Sequence, residues 1–214
     1  MRITKLMNVV IICDGNPPRP EQLKEALKHS SIFIAADGGA LTAETMGVEP
    51  DVIIGDLDSY SETGEEPAKV IQDPDQETND LEKALAYAFK MEGKDVIVFG
   101  ATGKRLDHTL KNLSVLKQFN SQFETLVFKD KYSVVFLLPK NFAAELPLGT
   151  TVSLFPLSGK VEGVTTTGLK YALFNGTLEN GIQDGSSNLT IQKKIEIDHK
   201  KGDLLIFINH KTDR

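Results

Sequence analysis

The chain is poor in the residues that build several common sites. It has one cysteine, Cys13, in 214 residues. That excludes an intrachain disulfide and a multi-cysteine zinc site, and nothing points to an oxidising compartment. Cys13 closes the apolar run "NVVIIC", where a thiol reads as a buried packing residue. Zinc also lacks clustered histidines. Positive charge is scarce: 24 Lys and Arg stand against 30 Asp and Glu, a net charge of −6. This balance argues against a broad nucleic-acid or anionic-membrane surface, and a small anionic substrate then needs local cations. The N-terminal apolar run is too short for a membrane span, and "MRITKLMNVVIICDG" lacks a signal-peptide cleavage region. The expectation is a cytoplasmic protein with neither nucleic acid nor membrane as partner.

What is present divides in two. From Asn8 to Leu138, short β-branched runs alternate with helical stretches, as a parallel α/β sheet requires. "NVVIIC", "SIFIAAD", "DVIIGD", "DVIVFG", "ETLVFK" and "YSVVFLL" read as strands, and "PEQLKEALKHS" and "GGALTAETMG" as helices. After Pro139, runs of Thr, Val and Ile are broken by "LSGK", "NGT", "ENG" and "HKKGD", the turn signals of a small antiparallel β domain. The expected fold is an α/β domain over 1–142 followed by an all-β domain over 143–214.

In an open parallel sheet, ligands gather at the carboxyl ends of the strands. Those ends read Asp14-Gly15, Asp37-Gly38-Gly39, Asp56-Leu57-Asp58 and Gly100-Ala101-Thr102-Gly103. On extended backbone, Asp56 and Asp58 project to the same side. Two carboxylates about 5 Å apart repel by roughly 3 kcal/mol at an effective dielectric near 20, so this pair calls for water or a cation. Gly38 and Gly39 permit close approach of an anion at the next helix start. In "DPDQETNDLEKALAYAFKMEG", Asn79 and Glu82 fit a capping box and place Asp80 in the first helical turn, behind a loop carrying Asp75 and Gln76.

"GATGKRLDHTLKNL" is not a Walker A motif, since only two residues separate Gly100 from Gly103 and Arg105 follows Lys104. Its glycines still suit a phosphate, and Arg105 offers a bidentate fork. On a helix from Arg105, Leu106, Leu110 and Leu113 share one side, while Arg105, His108 and Asn112 share another; Asp107 and Lys111 fall at ion-pair spacing. Asp37, Asp56, Asp58 and Asp80 therefore offer oxygen ligands for a hard divalent ion such as Mg2+, beside a phosphate-binding loop.

These segments resemble the thiamine pyrophosphokinase family. The matching pieces are "ADGGA" (36–40), "DVIIGDLDS" (51–59), "DQETNDLEKAL" (75–85), "GATGKRLDHTLKN" (100–112), "SLFPLSG" (153–159), "GVTTTGLKYAL" (163–173) and "GSSN" (185–188), in family order. The resemblance implies ATP plus thiamine giving thiamine diphosphate plus AMP, with Mg2+ as cofactor and ATP as co-substrate. It also implies a homodimer whose subunits pair an α/β nucleotide-binding domain with a β-sandwich that binds thiamine and dimerises.

By position, the resemblance makes Asp37, Asp56, Asp58, Asp80 and Arg105 catalytic, and Asp56, Asp58 and Asp80 the metal ligands. Gly38, Gly39, Gln76, Thr102, Gly103, Lys104, Arg105 and Asp107 fall at nucleotide or thiamine contacts. Ser187 and Asn188 form the thiamine-side element, in sites at the subunit interface. Leu57 stands where many relatives have Phe. Some relatives stack a Trp on thiamine; this chain has none, which leaves Tyr171 or Phe207 for that role. A Mg-dependent nucleotide phosphohydrolase and a non-catalytic nucleotide or thiamine-phosphate binding module are rival readings of the same acids.

Overall fold

The computed structural model describes residues 7–60 and 67–210. The chain parts into two compact units, Met1–Lys131 and Tyr132–Arg214.

The first unit holds strands β1 (Asn8–Ile12), β2 (Ile32–Ala36), β3 (Val52–Gly55), β4 (Lys69–Gln72), β5 (Asp95–Phe99) and β6 (Thr125–Lys129). Its helices are α1 (Pro20–His29), α2 (Gly39–Thr45), α3 (Asp80–Lys90) and α4 (Leu106–Phe119). The six strands are parallel in the order β6-β5-β1-β2-β3-β4. The central strands are near-continuous apolar runs because both faces are covered: Val9 to Ile12 and Phe33 to Ala36 are all buried. The sequence reading missed β4, whose "KVIQ" is half-exposed and carries only two apolar residues. The chain steps outward from β1 to β4 and then returns to β5 beside β1. That reversal sets the loops after β1 and β5 next to each other, where a ligand crevice forms in such sheets.

Helix α3 begins as its sequence predicts. Asn79 Oδ1 accepts from the Glu82 amide at 3.0 Å, and Glu82 Oε2 accepts from the Asn79 amide at 3.0 Å. Such a cap contributes about 1 kcal/mol. Leu81, Ala84, Leu85 and Ala88 form its buried stripe. Helix α4 turns otherwise than its leucines suggest. Leu106 and Leu110 are 71% and 59% exposed, while Asn112, Val115, Leu116 and Phe119 face inward.

The second unit holds β7 (Ser133–Leu137), β8 (Asn141–Glu145), β9 (Thr151–Pro156), β10 (Val161–Thr167), β11 (Gly176–Leu178), β12 (Gly185–Leu189), β13 (Lys194–Asp198) and β14 (Leu204–Asn209). They pair antiparallel as β12-β9-β14-β7 and β11-β10-β13-β8. Val152, Leu154, Leu204 and Ile206 of the first group share a core with Val161, Val164, Ile195 and Ile197 of the second. Strand β7 is antiparallel to β14, from Ser133 opposite Asn209 to Leu137 opposite Leu205. "YSVVFLL" thus belongs with the second unit, and the units part before residues 142 and 143, where the sequence drew its boundary. A short apolar run does not reveal its distant partner, and here the partner decides membership. Among the described residues no helix is long and apolar enough to cross a membrane.

Candidate active site

A cleft of about 520 Å3 lies wholly within the first unit, at the carboxyl ends of β1, β2, β3 and β5. Asp37 follows β2 with φ 41, a left-handed conformation uncommon outside glycine and concentrated at functional positions. Its amide donates to the Ile54 carbonyl at 2.9 Å, which ties the turn to β3. The side chain is 3% exposed; Oδ2 accepts from the Ser59 amide at 3.2 Å, and Oδ1 has no hydrogen-bond partner. Burial pushes this carboxyl above the ordinary range, and the charge of Asp58 adds to the effect.

Strand β3 ends at Gly55, where no side chain fits. A Cβ would stand 2.7 Å from Asp37 Cβ and 3.0 Å from Asp80 Oδ1. Leu57 then turns the chain with φ 64, and the Asp58 amide donates to Asp56 Oδ1 at 3.3 Å. Asp56 and Asp58 converge through this turn, not by the strand alternation that the sequence suggests. Carboxylate oxygens of Asp37, Asp56 and Asp58 lie within 4.8 Å of one another. Gln76 Nε2 donates to Asp56 Oδ2 at 3.0 Å and holds that carboxyl below its usual range.

Asp80 is raised by burial first and by the charge of Asp37 second. Lys83 Nζ stands 3.7 Å from its Oδ1. The sequence drew the metal set from Asp56, Asp58 and Asp80. The three whose oxygens converge within 4.8 Å are Asp37, Asp56 and Asp58, and Asp80 stands at the start of α3 beside Lys83. Oxygen-only donors and a buried, unpaired carboxylate oxygen fit a hard divalent cation such as Mg2+.

The opposite wall is the glycine-rich loop. The Gly15 amide donates to the Gly100 carbonyl at 2.8 Å and the Asn16 amide to the Thr102 carbonyl at 2.7 Å, which zips the loops after β1 and β5 together. Lys104 Nζ pairs with Asp14 Oδ1 at 2.7 Å. Arg105 is exposed, and its fork is taken by Asp107, with Nε at 3.1 Å from Oδ1. Lys111, at ion-pair spacing from Asp107, instead meets the buried Glu82 Oε2 at 2.8 Å.

Asp37, Gly38, Asp56, Asp58, Gln76, Asp80, Gly103, Lys104 and Arg105 line the cleft; Gly39, Thr102 and Asp107 do not. Gly39 serves packing: a Cβ on it would lie 2.1 Å from the Ile12 carbonyl oxygen, so only glycine lets α2 sit on β1. Thr102 Oγ1 donates to Asp130 Oδ2 at 3.4 Å. Ser187 and Asn188 belong to β12 in the second unit. Ser187 has φ 57 and an exposed side chain. Asn188 is buried and both ends of its amide are bonded: Oδ1 accepts from the Tyr171 and Leu189 amides at 2.9 Å each, and Nδ2 donates to the Tyr171 carbonyl at 2.8 Å. It clasps the segment that presents Tyr171, whose ring is exposed.

Lys83 escaped sequence reasoning, and Asn112, placed on the side of Arg105 and His108, was given no structural role there. Asn112 donates to the Ala101 carbonyl at 2.8 Å and accepts from Asn79 Nδ2 at 2.9 Å, joining α4, the glycine-rich loop and the cap of α3. Its signal was the inward face it shares with Val115, Leu116 and Phe119, at helical spacings of three, four and seven. Lys83 carried a weaker signal, three residues after Asp80.

Fold and site define a class: an α/β protein with an acid-lined, glycine-edged cleft at the reversal point of a parallel sheet, followed by an antiparallel β unit. The chain belongs to the thiamin pyrophosphokinase family. Residues 23–128 match "Thiamin pyrophosphokinase, catalytic domain" and residues 138–204 match "Thiamin pyrophosphokinase, vitamin B1 binding domain". Thiamine pyrophosphokinase 1 of Oryza sativa subsp. japonica is 32% identical over 198 residues, covering 77% of this chain and 74% of that protein. The crystal structure of thiamine pyrophosphokinase from Bacillus subtilis superposes with a TM-score of 0.81 at 25% identity, covering 95% of this chain and 100% of that one. Thiamin pyrophosphokinase from Candida albicans shares the fold with a TM-score of 0.85 at 21% identity, covering 96% of this chain and 89% of the other.

Proposed function

We propose that this protein transfers the pyrophosphoryl group of ATP to the hydroxyl of thiamine, giving thiamine diphosphate and AMP. The observation that carries the reading is the convergence of carboxylate oxygens of Asp37, Asp56 and Asp58, with Asp37 Oδ1 buried and unpaired, in a chain whose two parts match the family's two domains. Asp37, Asp56 and Asp58 hold the divalent ion. When bound, Mg2+ supplies positive charge to the polyphosphate oxygens.

The chain's own groups do the rest by position and charge, as phosphoryl-transfer sites do. Asp80, with its raised carboxyl, orients the thiamine hydroxyl and takes its proton. The hydroxyl oxygen bonds to the β-phosphorus, the bond from that phosphorus to the α,β-bridging oxygen breaks, and AMP leaves with the electron pair. Gly38, Gly103 and Lys104 border the polyphosphate, and Arg105 reaches it by exchanging Asp107 for phosphate oxygens. Gln76 holds Asp56 in place.

On the thiamine side, Ser187 supplies a hydroxyl and Asn188 holds Tyr171, the aromatic candidate in a chain without Trp. The sites lie at the interface of a homodimer. Phe174 and Ile182, both exposed, give the second unit apolar surface for that contact. A cytoplasmic location agrees with a chain whose single cysteine allows no intrachain disulfide.

The test is incubation of purified protein with ATP, Mg2+ and thiamine. Thiamine diphosphate and AMP are expected in equal amounts, with no AMP when thiamine is left out. Phosphate release independent of thiamine would make the protein a phosphohydrolase and overturn the reading.

A further inference from the structure

Lys83 is out of place by ordinary rules. It sits in the first turn of α3, where the helix dipole disfavours a cation, and its side chain is 3% exposed. Burying an ammonium costs several kcal/mol unless it is paired and hydrogen-bonded. Its ion-pair partner among the described residues is Asp80 Oδ1 at 3.7 Å, longer than a hydrogen bond. The ammonium is therefore held by the field of the cleft and not by one tight contact. Five carboxylates line the same cleft as Lys83: Asp14, which is paired with Lys104, and Asp37, Asp56, Asp58 and Asp80.

We propose that Lys83 is a fixed counter-charge that makes the acidic cleft select a divalent metal bound to polyphosphate over the bare metal ion. This rests on the metal and nucleotide reading of the site. A bare divalent ion entering among Asp37, Asp56 and Asp58 meets repulsion from the buried ammonium. One unit charge a few ångströms away, at an effective dielectric near 20, weakens such binding by about tenfold or more. A metal–polyphosphate complex brings excess negative charge, so the same ammonium attracts it. The two effects have opposite signs, whereas a role in packing has none.

The test compares wild type with Lys83→Met, which keeps the length of the side chain and removes its charge. Binding of Mn2+ alone is read by the loss of the free-ion paramagnetic resonance signal. Binding of Mn2+ with a non-hydrolysable ATP analogue is read by calorimetry. The variant is expected to bind bare Mn2+ at least about tenfold more tightly, and the Mn2+–analogue complex more weakly. Affinities that both stay unchanged, or that both fall, overturn the inference. The double variant Asp80→Asn, Lys83→Met restores the net charge of the cleft, so its affinity for bare Mn2+ should return to near the wild-type value. It also replaces the single variant should that fail to fold, and tighter binding by the double variant overturns the inference equally. Wild-type protein that binds neither bare Mn2+ nor the complex would instead overturn the metal and nucleotide reading itself.

Discussion

Asp37 combines a left-handed backbone, near-complete burial and a carboxylate oxygen without a partner. Each is unfavourable for folding, so this side chain trades stability for a site. Asparagine tolerates the same backbone region and carries no charge. Asp37→Asn should therefore raise the melting temperature of the metal-free protein by about 2–4 °C, the size of roughly 1 kcal/mol in a chain of this length, while abolishing turnover. Scanning calorimetry and a product assay check both; a lower melting temperature, or retained activity, would contradict this role. At this scale Asp37, Asp56 and Asp58 were legible because each stands where an apolar strand run stops, and Asp80 because a capping box marks the start of its helix. The partners of Arg105, Asn112 and Asn188 were not. Whether a fork or an amide is open to a ligand depends on which groups the fold brings to it, such as Asp107 at Arg105 and the Tyr171 backbone at Asn188.

Helices α3 and α4 reach the glycine-rich loop through the chain of bonds from Asn79 to Asn112 to the Ala101 carbonyl. Asn112→Ala leaves a buried carbonyl and an amide unpaired, which costs about 1–3 kcal/mol. Urea unfolding should show that loss, and the KM for ATP should rise because the loop loses its anchor. An unchanged KM in a destabilised variant would limit Asn112 to folding. In the connection between β13 and β14, His199 is buried and its Nδ1 has no partner. Burial first and Lys140 second hold its pKa below the usual value, against the opposing pull of the Gly202 carbonyl, Asp203 and Asp198. The folded state then binds fewer protons than the unfolded one, so stability falls as pH drops through the unfolded value of about 6.5. His199→Gln should flatten the urea midpoint between about pH 7.5 and 5.5; a slope equal to wild type would clear His199 of that role. The helices and strands β1, β2, β3, β5 and β6 were legible from apolar pattern and caps. Strand β4 was not, because its alternation is too short to register.

On the scale of the whole molecule, the acids and the glycine-rich loop lie in one unit and the Ser187-Asn188 element in the other. A homodimer with shared sites predicts complementation between inactive partners. Asp58→Asn subunits and Ser187→Ala, Asn188→Ala subunits, refolded together, should give mixed dimers in half of random pairings, each with one intact site, and so about a quarter of wild-type activity. Confirmed subunit exchange with no gain over the parents would place each site within one subunit. Transfer of the pyrophosphoryl group as a single unit is tested most directly with ATP carrying 32P only at its β-phosphorus, in the presence of thiamine and Mg2+. The label is expected in thiamine diphosphate, on the phosphorus bonded to the thiamine oxygen, with AMP unlabelled. Labelled ADP beside unlabelled thiamine monophosphate would contradict attack at the β-phosphorus.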